Sequence, residues 1–600
     1  MGFGIKKRIE PEGMNAEELR ALAHEKAKAW TQSPYDAATV NEAQKLIEDD
    51  GEALIEAFYT DLEFGTGGLR GLMGVGTNRM NAYTVAQATQ GLANYMLEAQ
   101  PTGASIAIAH DSRNRSAEFA KVAADVMAGN GIEVHLFPAL RPTPQLSFTV
   151  RHMNCTAGIV ITASHNPKEY NGYKVYWSDG GQIVPPHDAG IIGQVRAVSG
   201  PSEVNWGQDA AAQARIHWLD AEADDAYRNT VLDLRLHRGL CDHGSDMSIV
   251  YTPLHGTGSV SVIPALEAAG FRNVHIVESQ REPDGNFPTV HSPNPEEGAA
   301  LSEAIALAQT VDAQLVLGTD PDSDRVGIAV PDANSAGGWR LLNGNETGAL
   351  LVDYVVNERR RNGQLKPGDF VAKTIVTSDL MASIGSKAGL DVHETLTGFK
   401  WIADVIRREE GRGRFVVGGE ESYGYMIGDA VRDKDAVAAA CMLCELAHAS
   451  AEHGEKLLDR LERIHNEHGA FKEALVSQTK QGRSGKAEIA AQMEGFRTQP
   501  PSTLAGEKVI EVRDYRAQSA MDLKTGKTRV IDLPASNVVQ LITENQTIVT
   551  ARPSGTEPKI KFYFSVRKAA GSWRDSAGYA EVMQQLDAQI SRLKSEMGVG

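Results

Sequence analysis

The chain has 600 residues, of which 42% are hydrophobic and 23% charged, and its formal net charge is −18 at pH 7. This length predicts about three to five domains, whose cores need no disulfides, and the four cysteines are too few for a disulfide scaffold. The negative charge argues against nucleic-acid binding as the main role of the surface, but it allows an anionic small substrate held by local arginines and lysines.

The N-terminal segment has no apolar signal core, and Lys6 does not fit a myristoylation motif. No stretch approaches the roughly 18 uninterrupted apolar residues of a membrane span. We therefore expect a cytoplasmic protein without a membrane partner.

The predicted elements begin with helices over residues 14–60. A short apolar run followed by a loop of small and polar residues then recurs along the chain, which predicts βα units and mostly parallel sheets. Ligands of such sheets bind in loops beyond the carboxyl ends of the strands. The segments with this pattern are 105–116, 158–167, 247–258, 313–325 and 414–425.

Turn-rich stretches at 199–208, 331–339 and 497–507 predict linkers. The last part differs from the rest, because 546–566 reads as two strands joined by a loop and 577–596 as a long polar helix, which indicates an α+β domain. We therefore predict an N-terminal helical extension and four domains, with these bounds: 1–50, 51–205, 206–335, 336–500 and 501–600.

The first glycine-rich stretch, F-G-T-G-G-L-R-G at 64–71, matches neither a dinucleotide fingerprint nor a Walker loop. Arg70 stands in the place of the last glycine, and no Lys-Ser/Thr follows. The pattern favours a turn that presents Arg70 to a phosphate group.

Ser164 lies in T-A-S-H-N-P, directly after an apolar run and before His165. A serine at a strand end, beside a histidine and free amides, can act as a nucleophile or hold a phosphate. The same position also suits a helix N-cap, which Ser-His alone favours. Lys174, on a predicted returning strand, is either an acid–base group or a solvated lysine.

Asp320, Asp322 and Asp324 alternate in a loop after a predicted strand. Three carboxylates on one turn repel each other unless a cation lies between them, and hard oxygen ligands select Mg²⁺ or Ca²⁺. The loop is not an EF-hand, because Arg325 and Pro331 occupy the positions of the required glycine and bidentate glutamate. We predict a metal site rather than a solvated acidic turn.

Three later motifs are ambiguous on their own. Glu420 and Ser422, in G-G-E-E-S-Y-G, are either ligands for sugar hydroxyls or surface charges. The C-x-x-C of Cys441 and Cys444 lies in an apolar run at helical spacing, which favours buried helix residues over a redox or metal site. The motif R-P-S-G-T-E-P at 552–558 predicts either a phosphate-binding turn or a plain hairpin.

Together these motifs resemble the α-D-phosphohexomutase superfamily, the phosphoglucomutases and phosphomannomutases. The likeness runs from F-G-T-G-G-L-R-G to R-P-S-G-T-E-P and leaves out residues 1–50. It implies three related mixed α/β domains and a C-terminal α+β domain around a central cleft. F-G-T-G-G-L-R-G and T-L-T-G-F-K-W-I look closer to the large phosphoglucomutase branch, which includes phosphopentomutases.

The resemblance also implies residue roles. Ser164 would carry the transferred phosphoryl group, and Mg²⁺ would be held by Ser164, Asp320, Asp322 and Asp324. Further catalytic side chains would be Arg70, His165 and Lys174. Substrate-binding residues would be Arg325, Thr397, Gly398, Lys400, Glu420, Ser422, Lys434, Arg552, Ser554, Gly555 and Thr556.

The activity implied is a phosphoglucomutase of glucose metabolism, with glucose 1,6-bisphosphate as activator and intermediate, acting as a monomer or homodimer. Two departures from the family pattern bear on this choice. The metal loop reads Asp-Pro-Asp where many relatives have Asp-Gly-Asp, and the sugar loop lacks the histidine that some phosphomannomutases carry just after it.

The sequence also allows other functions. Phosphopentomutase and phosphomannomutase activity are the alternatives within the family. A phosphatase would share Ser164 and the metal but use water as the acceptor, and a silent sugar-phosphate sensor would not need Ser164 with all three aspartates. His255, in L-H-G-T-G, is interpreted as a structural residue or one that supports a ligand-binding neighbour.

Overall fold

The computed structural model describes residues 14–65, 67–480, 482–554 and 559–599. Its chain divides into two compact units. The first unit comprises Met1–Leu234, His243–Val326 and Ala430–Cys441, and the second unit comprises Arg235–Asp242, Gly327–Asp429 and Met442–Gly600. No helix in the described part of the chain is both long and apolar enough to cross a membrane.

Three helices open the described chain, as the sequence predicts for residues 14–60. They are α1 (Ala16–Ala29), α2 (Ala37–Asp49) and α3 (Glu52–Phe58). The Asn15 side chain caps α1 by accepting two amides that the helix itself cannot satisfy. Trp30 stacks on Tyr35 with ring centroids 4.5 Å apart, and both belong to an aromatic cluster that ties this extension to the following domain.

A six-stranded sheet forms the centre of the next domain. Its strands are β1 (Gly68–Leu72), β2 (Ser105–His110), β3 (Glu133–Leu136), β4 (Ala157–Ile161), β5 (Tyr170–Trp177) and β6 (Ile216–Trp218). Its helices are α4 (Ala82–Ala99), α5 (Ser116–Gly129), α6 (Thr143–His152), α7 (His187–Ala197), α8 (Ala210–Gln213) and α9 (Ala221–Asp233). The strand order is β1-β5-β4-β2-β3-β6, with β2, β3, β4 and β6 parallel and β5 and β1 antiparallel to their neighbours.

Every residue of β4 is buried, which is typical of a strand covered by helices on both faces. Three parallel strands of a second sheet lie in the first unit, in the order β9-β7-β8. They are β7 (Ile249–Thr252), β8 (Val274–Ile276) and β9 (Leu315–Thr319). The helices of this part of the chain are α10 (Arg238–His243), α11 (Gly258–Ala268), α12 (Glu278–Arg281) and α13 (Ser302–Thr310).

The second unit contains a four-stranded sheet with the order β13-β12-β14-β15, preceded by an antiparallel pair of β10 and β11. Its strands are β10 (Val326–Pro331), β11 (Trp339–Leu341), β12 (Phe370–Thr374), β13 (Asp391–Thr395), β14 (Phe415–Gly419) and β15 (Tyr425–Ile427). The helices are α14 (Gly344–Arg361), α15 (Asp379–Lys387), α16 (Phe399–Glu409), α17 (Ala436–Glu452) and α18 (Leu457–His468). Cys441 and Cys444 are buried in α17, which confirms that they are buried helix residues.

The chain ends in an antiparallel sheet with the order β16-β23-β22-β21-β18-β19-β20, and β17 pairs with β18. Its strands are β16 (Ala470–Thr479), β17 (Thr503–Leu504), β18 (Glu507–Asp514), β19 (Ser519–Asp522), β20 (Thr528–Val530), β21 (Val539–Thr543), β22 (Ile548–Pro553) and β23 (Lys559–Lys568). Its helices are α19 (Gly482–Thr498) and α20 (Ser576–Glu596). The predicted fold class, α/β units followed by an α+β part, is confirmed, although this sheet also includes β16, which precedes position 500.

Candidate active site

Ser164 lies between β4 and β5, at the carboxyl end of β4. Its backbone is left-handed, with φ 55°, a conformation that costs a residue other than glycine about 1 to 3 kcal/mol and persists only where the surroundings impose it. The chain continues from Ser164 through turns into β5 without forming a helix. The helix N-cap alternative is therefore wrong.

The Ser164 hydroxyl faces two groups that can take its proton. It donates to Asp320 Oδ2 at 2.7 Å, and its Oγ lies 3.2 Å from His165 Nδ1. The side chain is buried, with 4% of the residue exposed. The loop after β4 and the loop after β9 are thus in contact through Ser164 and Asp320.

Asp320, Asp322 and Asp324 follow β9 and are buried. Asp320 Oδ1 accepts the amides of Asp324 at 3.1 Å and Arg325 at 3.0 Å, so the loop folds back on its own first carboxylate. One oxygen from each aspartate lies within 4.8 Å of the others. The structure therefore gathers all three predicted metal ligands at one point.

The donor set fits a hard cation. Asp322 Oδ1 and Asp324 Oδ1 are buried and accept no hydrogen bond from the described residues, although leaving a buried acceptor unsatisfied costs about 1 to 3 kcal/mol. Burial, followed by the charges of Asp324 and Asp322, raises the pKa of Asp320 well above its usual range. Burial and the neighbouring carboxylates thus oppose ionisation of Asp320, and a bound cation would offset this effect. Carboxylate oxygens suit Mg²⁺ better than a soft metal.

Two lysines contact this carboxylate cluster. Lys174 Nζ donates to Asp322 Oδ2 at 2.8 Å and to Asp324 Oδ2 at 3.1 Å. Lys434 Nζ lies 3.2 Å from Asp324 Oδ2, and the amide of Ala436 donates to Ser323 O at 3.2 Å. Segment 430–441 therefore contacts the metal loop, and Lys434, predicted to bind the substrate, pairs with Asp324.

Electrostatics keep these groups ionised. Burial opposes the charge on Lys174, but Asp322 and Asp324 outweigh it and raise the lysine pKa. Burial also opposes the charge on Asp324, yet Lys174 and Lys434 hold the pKa of that carboxyl far below its usual range. Lys174 is thus a buried ammonium ion, and the solvated-lysine alternative is wrong.

Arg70 lies on β1, opposite Gly172 of β5, and not in a turn. The glycine-rich stretch turns just before this strand, where the backbones of Gly65 and Gly68 exchange two hydrogen bonds of 2.9 and 3.2 Å. Gly68, whose φ is +131°, also allows close strand packing, because a Cβ there would lie 1.8 Å from Tyr173 O. Since Gly68 is opposite Lys174, and side chains two residues apart on a strand share a face, Arg70 and Lys174 lie on the same face of the sheet. The Arg70 side chain is exposed.

His165 and Arg325 flank the two loops. Burial first, and then the charge of Arg325, lower the His165 pKa well below its usual value, so the imidazole is neutral at neutral pH. Arg325 pairs with Glu296, and its Nε lies 3.7 Å from Asp324 Oδ1. A neutral imidazole beside the serine can accept and return a proton.

In the second unit, the predicted sugar-binding residues lie in two connected loops. Thr397 and Gly398 lie between β13 and α16, and the Gly398 amide donates to Glu420 Oε1 at 2.8 Å. Ser422 follows β14 in the same loop as Glu420, and Lys400 Nζ lies 5.0 Å from the centroid of the Trp401 ring. The structure thus brings the loop of Thr397 together with the loop of Glu420.

Of the predicted phosphate-binding residues, Arg552 and Ser554 lie at the end of β22. Arg552 is opposite Lys561 of β23, and the Ser554 amide donates to Lys559 O at 2.7 Å. Gly555 and Thr556 lie outside the described residues. The sequence prediction of two strands joined by a loop at this point is confirmed.

Sequence reasoning missed several residues that contact these loops. Thr143 Oγ1 donates to Asp322 Oδ2 at 2.8 Å, and Asp111 and Arg113, after β2, bond to the serine loop. The sequence could have indicated Asp111 and Arg113, because they are charged residues directly after a buried strand, and such residues meet the loops of neighbouring parallel strands. Nothing in the residue types near Thr143 indicated its contact.

The L-H-G-T-G segment, residues 254–258, packs against the metal loop at Pro321. The Thr257 amide donates to Pro321 O at 2.8 Å, and a Cβ on Gly256 would lie 2.4 Å from the Pro321 Cα. His255 is buried, with Nε2 2.9 Å from Thr289 Oγ1. These contacts support a structural role for His255 and show how the proline of the Asp-Pro-Asp loop is accommodated.

Three family models match the chain. They are described as phosphoglucomutase/phosphomannomutase, alpha/beta/alpha domains I, II and III, and they match residues 61–200, 227–335 and 343–465. Together they cover more than half of the sequence and agree with three α/β domains before a β-rich C-terminal part. The chain belongs to the phosphoglucomutase/phosphomannomutase family.

Curated relatives match over most of their length. A phosphoglucomutase of Staphylococcus epidermidis is 38% identical over 515 residues, which span 85% of this chain and 92% of that protein. A phosphoglucomutase of Staphylococcus aureus is 37% identical over 536 residues, which span 89% of this chain and 93% of that protein.

Solved structures show the same fold at low identity. Parafusin, a phosphoglucomutase from Paramecium, has a TM-score of 0.64 at 17% identity, covering 89% of this chain and 95% of that one. A phosphoglucomutase/phosphomannomutase family protein from Burkholderia thailandensis has a TM-score of 0.61 at 18% identity, covering 90% and 98%.

Proposed function

We propose that this enzyme interconverts glucose 1-phosphate and glucose 6-phosphate through phospho-Ser164 and a bound bisphosphate. The observation that carries the proposal is the hydrogen bond from Ser164 Oγ to Asp320 Oδ2 at 2.7 Å, inside a buried cluster of three carboxylates that also contacts Lys174. The two Staphylococcus relatives, both named phosphoglucomutase, favour glucose phosphates over the pentose and mannose alternatives.

Mg²⁺ would be held by Asp320, Asp322, Asp324 and an oxygen carried on Ser164, where it would stabilise negative charge on the transferring phosphoryl group. The two unsatisfied carboxylate oxygens of Asp322 and Asp324 support this assignment.

In the first half-reaction, the phosphoryl group leaves Ser164 for the free hydroxyl of a sugar monophosphate. The bond between Ser164 Oγ and phosphorus breaks, a bond between the sugar oxygen and phosphorus forms, and the hydroxyl proton ends on Ser164 Oγ. His165 is placed to pass this proton, because its Nδ1 lies 3.2 Å from Oγ and its lowered pKa keeps it neutral. The Lys174 ammonium, together with Arg70 on the same face of the sheet, would stabilise the charge of the phosphoryl group.

In the second half-reaction, the other phosphate of the bisphosphate returns to Ser164, which leaves the isomeric monophosphate. Glu420 and Ser422 would bind the sugar hydroxyls, with Thr397, Gly398 and Lys400 beside them. The phosphate that is not being transferred would be bound by Arg552, Ser554, Gly555 and Thr556, and Arg325 would be a further substrate-binding residue.

The test is product formation from glucose 1-phosphate with Mg²⁺ and a trace of glucose 1,6-bisphosphate, with ribose 1-phosphate and mannose 1-phosphate in parallel. We expect fast formation of glucose 6-phosphate, its loss in Ser164→Ala, and normal rates in Ser302→Ala, which alters an exposed serine on α13. A preference for ribose 1-phosphate or mannose 1-phosphate would replace the sugar assignment and keep the serine route. Steady release of inorganic phosphate without an isomer would show a phosphatase instead.

A further inference from the structure

Arg113 is a buried cation, 3% exposed, whose guanidinium bonds to the main chain of the serine loop. Its Nη2 donates to Ser164 O at 2.6 Å and to Asn166 O at 2.5 Å. Its Nη1 donates to Pro167 O at 2.9 Å and to Tyr170 O at 3.1 Å. Because the guanidinium is planar and its donors have a fixed geometry, one side chain fixes the carbonyls at both ends of this loop.

Asp111 and Thr162 hold the same loop through its amide groups. The Thr162 hydroxyl donates to Asp111 Oδ2 at 2.6 Å, and its oxygen accepts the Ser164 amide at 2.8 Å. Asp111 Oδ1 accepts the Arg113 amide at 2.9 Å, and Asp111 Oδ2 lies 3.4 Å from Arg113 Nε. The carboxylate therefore fixes the direction of the threonine hydroxyl and ties it to the arginine.

These contacts hold the backbone of Ser164, whose conformation is strained. Ser164 has a φ of 55°, a strained conformation that the chain would leave if its surroundings allowed it. Its carbonyl is held by Arg113 and its amide by Thr162, so both of its peptide groups are fixed. The direction of Oγ toward Asp320 follows from that fixed backbone.

We infer that Asp111, Arg113 and Thr162 are positioning residues that hold Ser164 Oγ where phosphoryl transfer requires it. This inference deepens the proposed function and rests on it. The three side chains act through the backbone of Ser164, and a misplacement of about 1 Å at a reacting centre can cost about a hundredfold in rate.

The decisive comparison is Thr162→Val against Thr162→Ser, because valine keeps the shape of the side chain and removes the hydroxyl, whereas serine keeps the hydroxyl. The rate to measure is the single-turnover phosphorylation of Ser164 by glucose 1,6-bisphosphate, followed by intact mass. We expect Thr162→Val to slow this step by about ten- to a hundredfold with little change in KM, and Thr162→Ser to restore most of the rate.

Arg113→Lys gives the second comparison, since lysine keeps the charge but not the planar set of donors. Its matched control is Arg115→Lys on the same loop, where the exposed arginine pairs with Glu118 at 2.7 Å. We expect slow phosphorylation in the first variant and a normal rate in the second. If Arg113→Lys does not fold, the two Thr162 variants decide the question.

Hydrogen exchange of residues 163–170 supplies a readout independent of activity. We expect faster exchange in Thr162→Val and Arg113→Lys than in the wild type and in Arg115→Lys. Wild-type exchange or wild-type phosphorylation rates in both altered enzymes would overturn the inference. If the wild type itself takes up no phosphoryl group, the proposed function fails, and the exchange rates still show whether the three residues hold the loop.

Discussion

At the scale of single residues, Ser164 and the three aspartates form one charge system. Lys174 pairs with Oδ2 of both Asp322 and Asp324, and Lys434 pairs with Oδ2 of Asp324. Asp320 receives only the serine hydroxyl and the backbone amides of its own loop from the described residues. A cation therefore has the most to compensate at Asp320, the carboxylate nearest the hydroxyl that carries the phosphoryl group.

Removing one charge from this cluster should weaken metal binding. Asp322→Asn keeps the side-chain shape but replaces one carboxylate oxygen by an amide donor, and we expect the affinity for Mg²⁺ to fall by at least about ten- to a hundredfold. The measurement is Mn²⁺ binding by electron paramagnetic resonance, together with the Mg²⁺ dependence of activity after chelation. Asp312→Asn, in the turn before β9, is the control, and an unchanged metal affinity in Asp322→Asn would count against the site.

At the scale of elements, the loops after strands form the site, and particular contacts set their shape. The loop between β13 and α16 turns at Gly398, whose φ is +111° and whose hypothetical Cβ would have space around it. The glycine is thus required by its backbone conformation and not by crowding. Its amide holds Glu420, which links two of the predicted sugar-binding loops.

Gly398→Ala tests this link. We expect a loss of about 1 to 2 kcal/mol of stability from the left-handed backbone. Alanine keeps the amide, but a backbone that leaves this conformation would move the amide away from Glu420, so we also expect a higher KM for the sugar phosphate. Gly389→Ala is the matched control, since Gly389 has a φ of +81° and open space around it but lies in the turn before β13. Denaturant unfolding and steady-state kinetics should show a similar loss of stability in both variants and a change in KM only in Gly398→Ala. Equal KM values in the two variants would contradict the link.

Sequence patterns predicted the strand-end loops well, because an apolar run followed by small and polar residues reports burial and a turn at once. They did not show that Arg70 itself lies on a strand, because glycines that allow β1 to approach β5 look the same in the sequence as glycines of a turn. They also did not predict the ion pair of Lys434 with Asp324, since a local pattern does not reveal a contact between positions so far apart in the chain. The contacts of Arg113 with the serine loop escaped for the same reason.

At the scale of the whole molecule, order and type of the domains were predictable, whereas the composition of each sheet was not. The pairing of β16 with β23 spans ten residues on each strand, yet the long connection between them leaves no local signal. The net charge of −18 likewise conceals the lysines and arginines gathered near the carboxylates. Composition therefore indicated a globular protein of several domains, and only the motifs indicated its chemistry.

The second unit should lose stability in mild acid through His465. This residue of α18 is buried, its Nδ1 lies 2.7 Å from the Tyr579 hydroxyl of α20, and burial, then Arg340 and His468, lower its pKa to about 4. An unfolded histidine has a pKa of about 6.5, so between these values the unfolded chain binds a proton that the native chain does not. Stability from this group is present above about pH 6.5 and is lost as the pH falls toward 4, by up to about 3 kcal/mol.

Thermal unfolding between pH 4 and pH 7 measures this effect. We expect His465→Gln to have a lower Tm at neutral pH than the wild type and a weaker dependence of Tm on pH, whereas His453→Gln, which alters an exposed histidine, should keep the wild-type dependence. A wild-type slope in His465→Gln would assign the acid sensitivity to other groups.

The most direct test of phosphoryl transfer through Ser164 follows the phosphoryl group itself. The enzyme is incubated with glucose 1,6-bisphosphate labelled with ³²P, freed of sugar, mapped by peptide mass and then exposed to unlabelled glucose 1-phosphate. We predict label on Ser164 that passes to sugar phosphate when the acceptor is added. Label on another residue, or label on Ser164 that leaves only as inorganic phosphate, would contradict it.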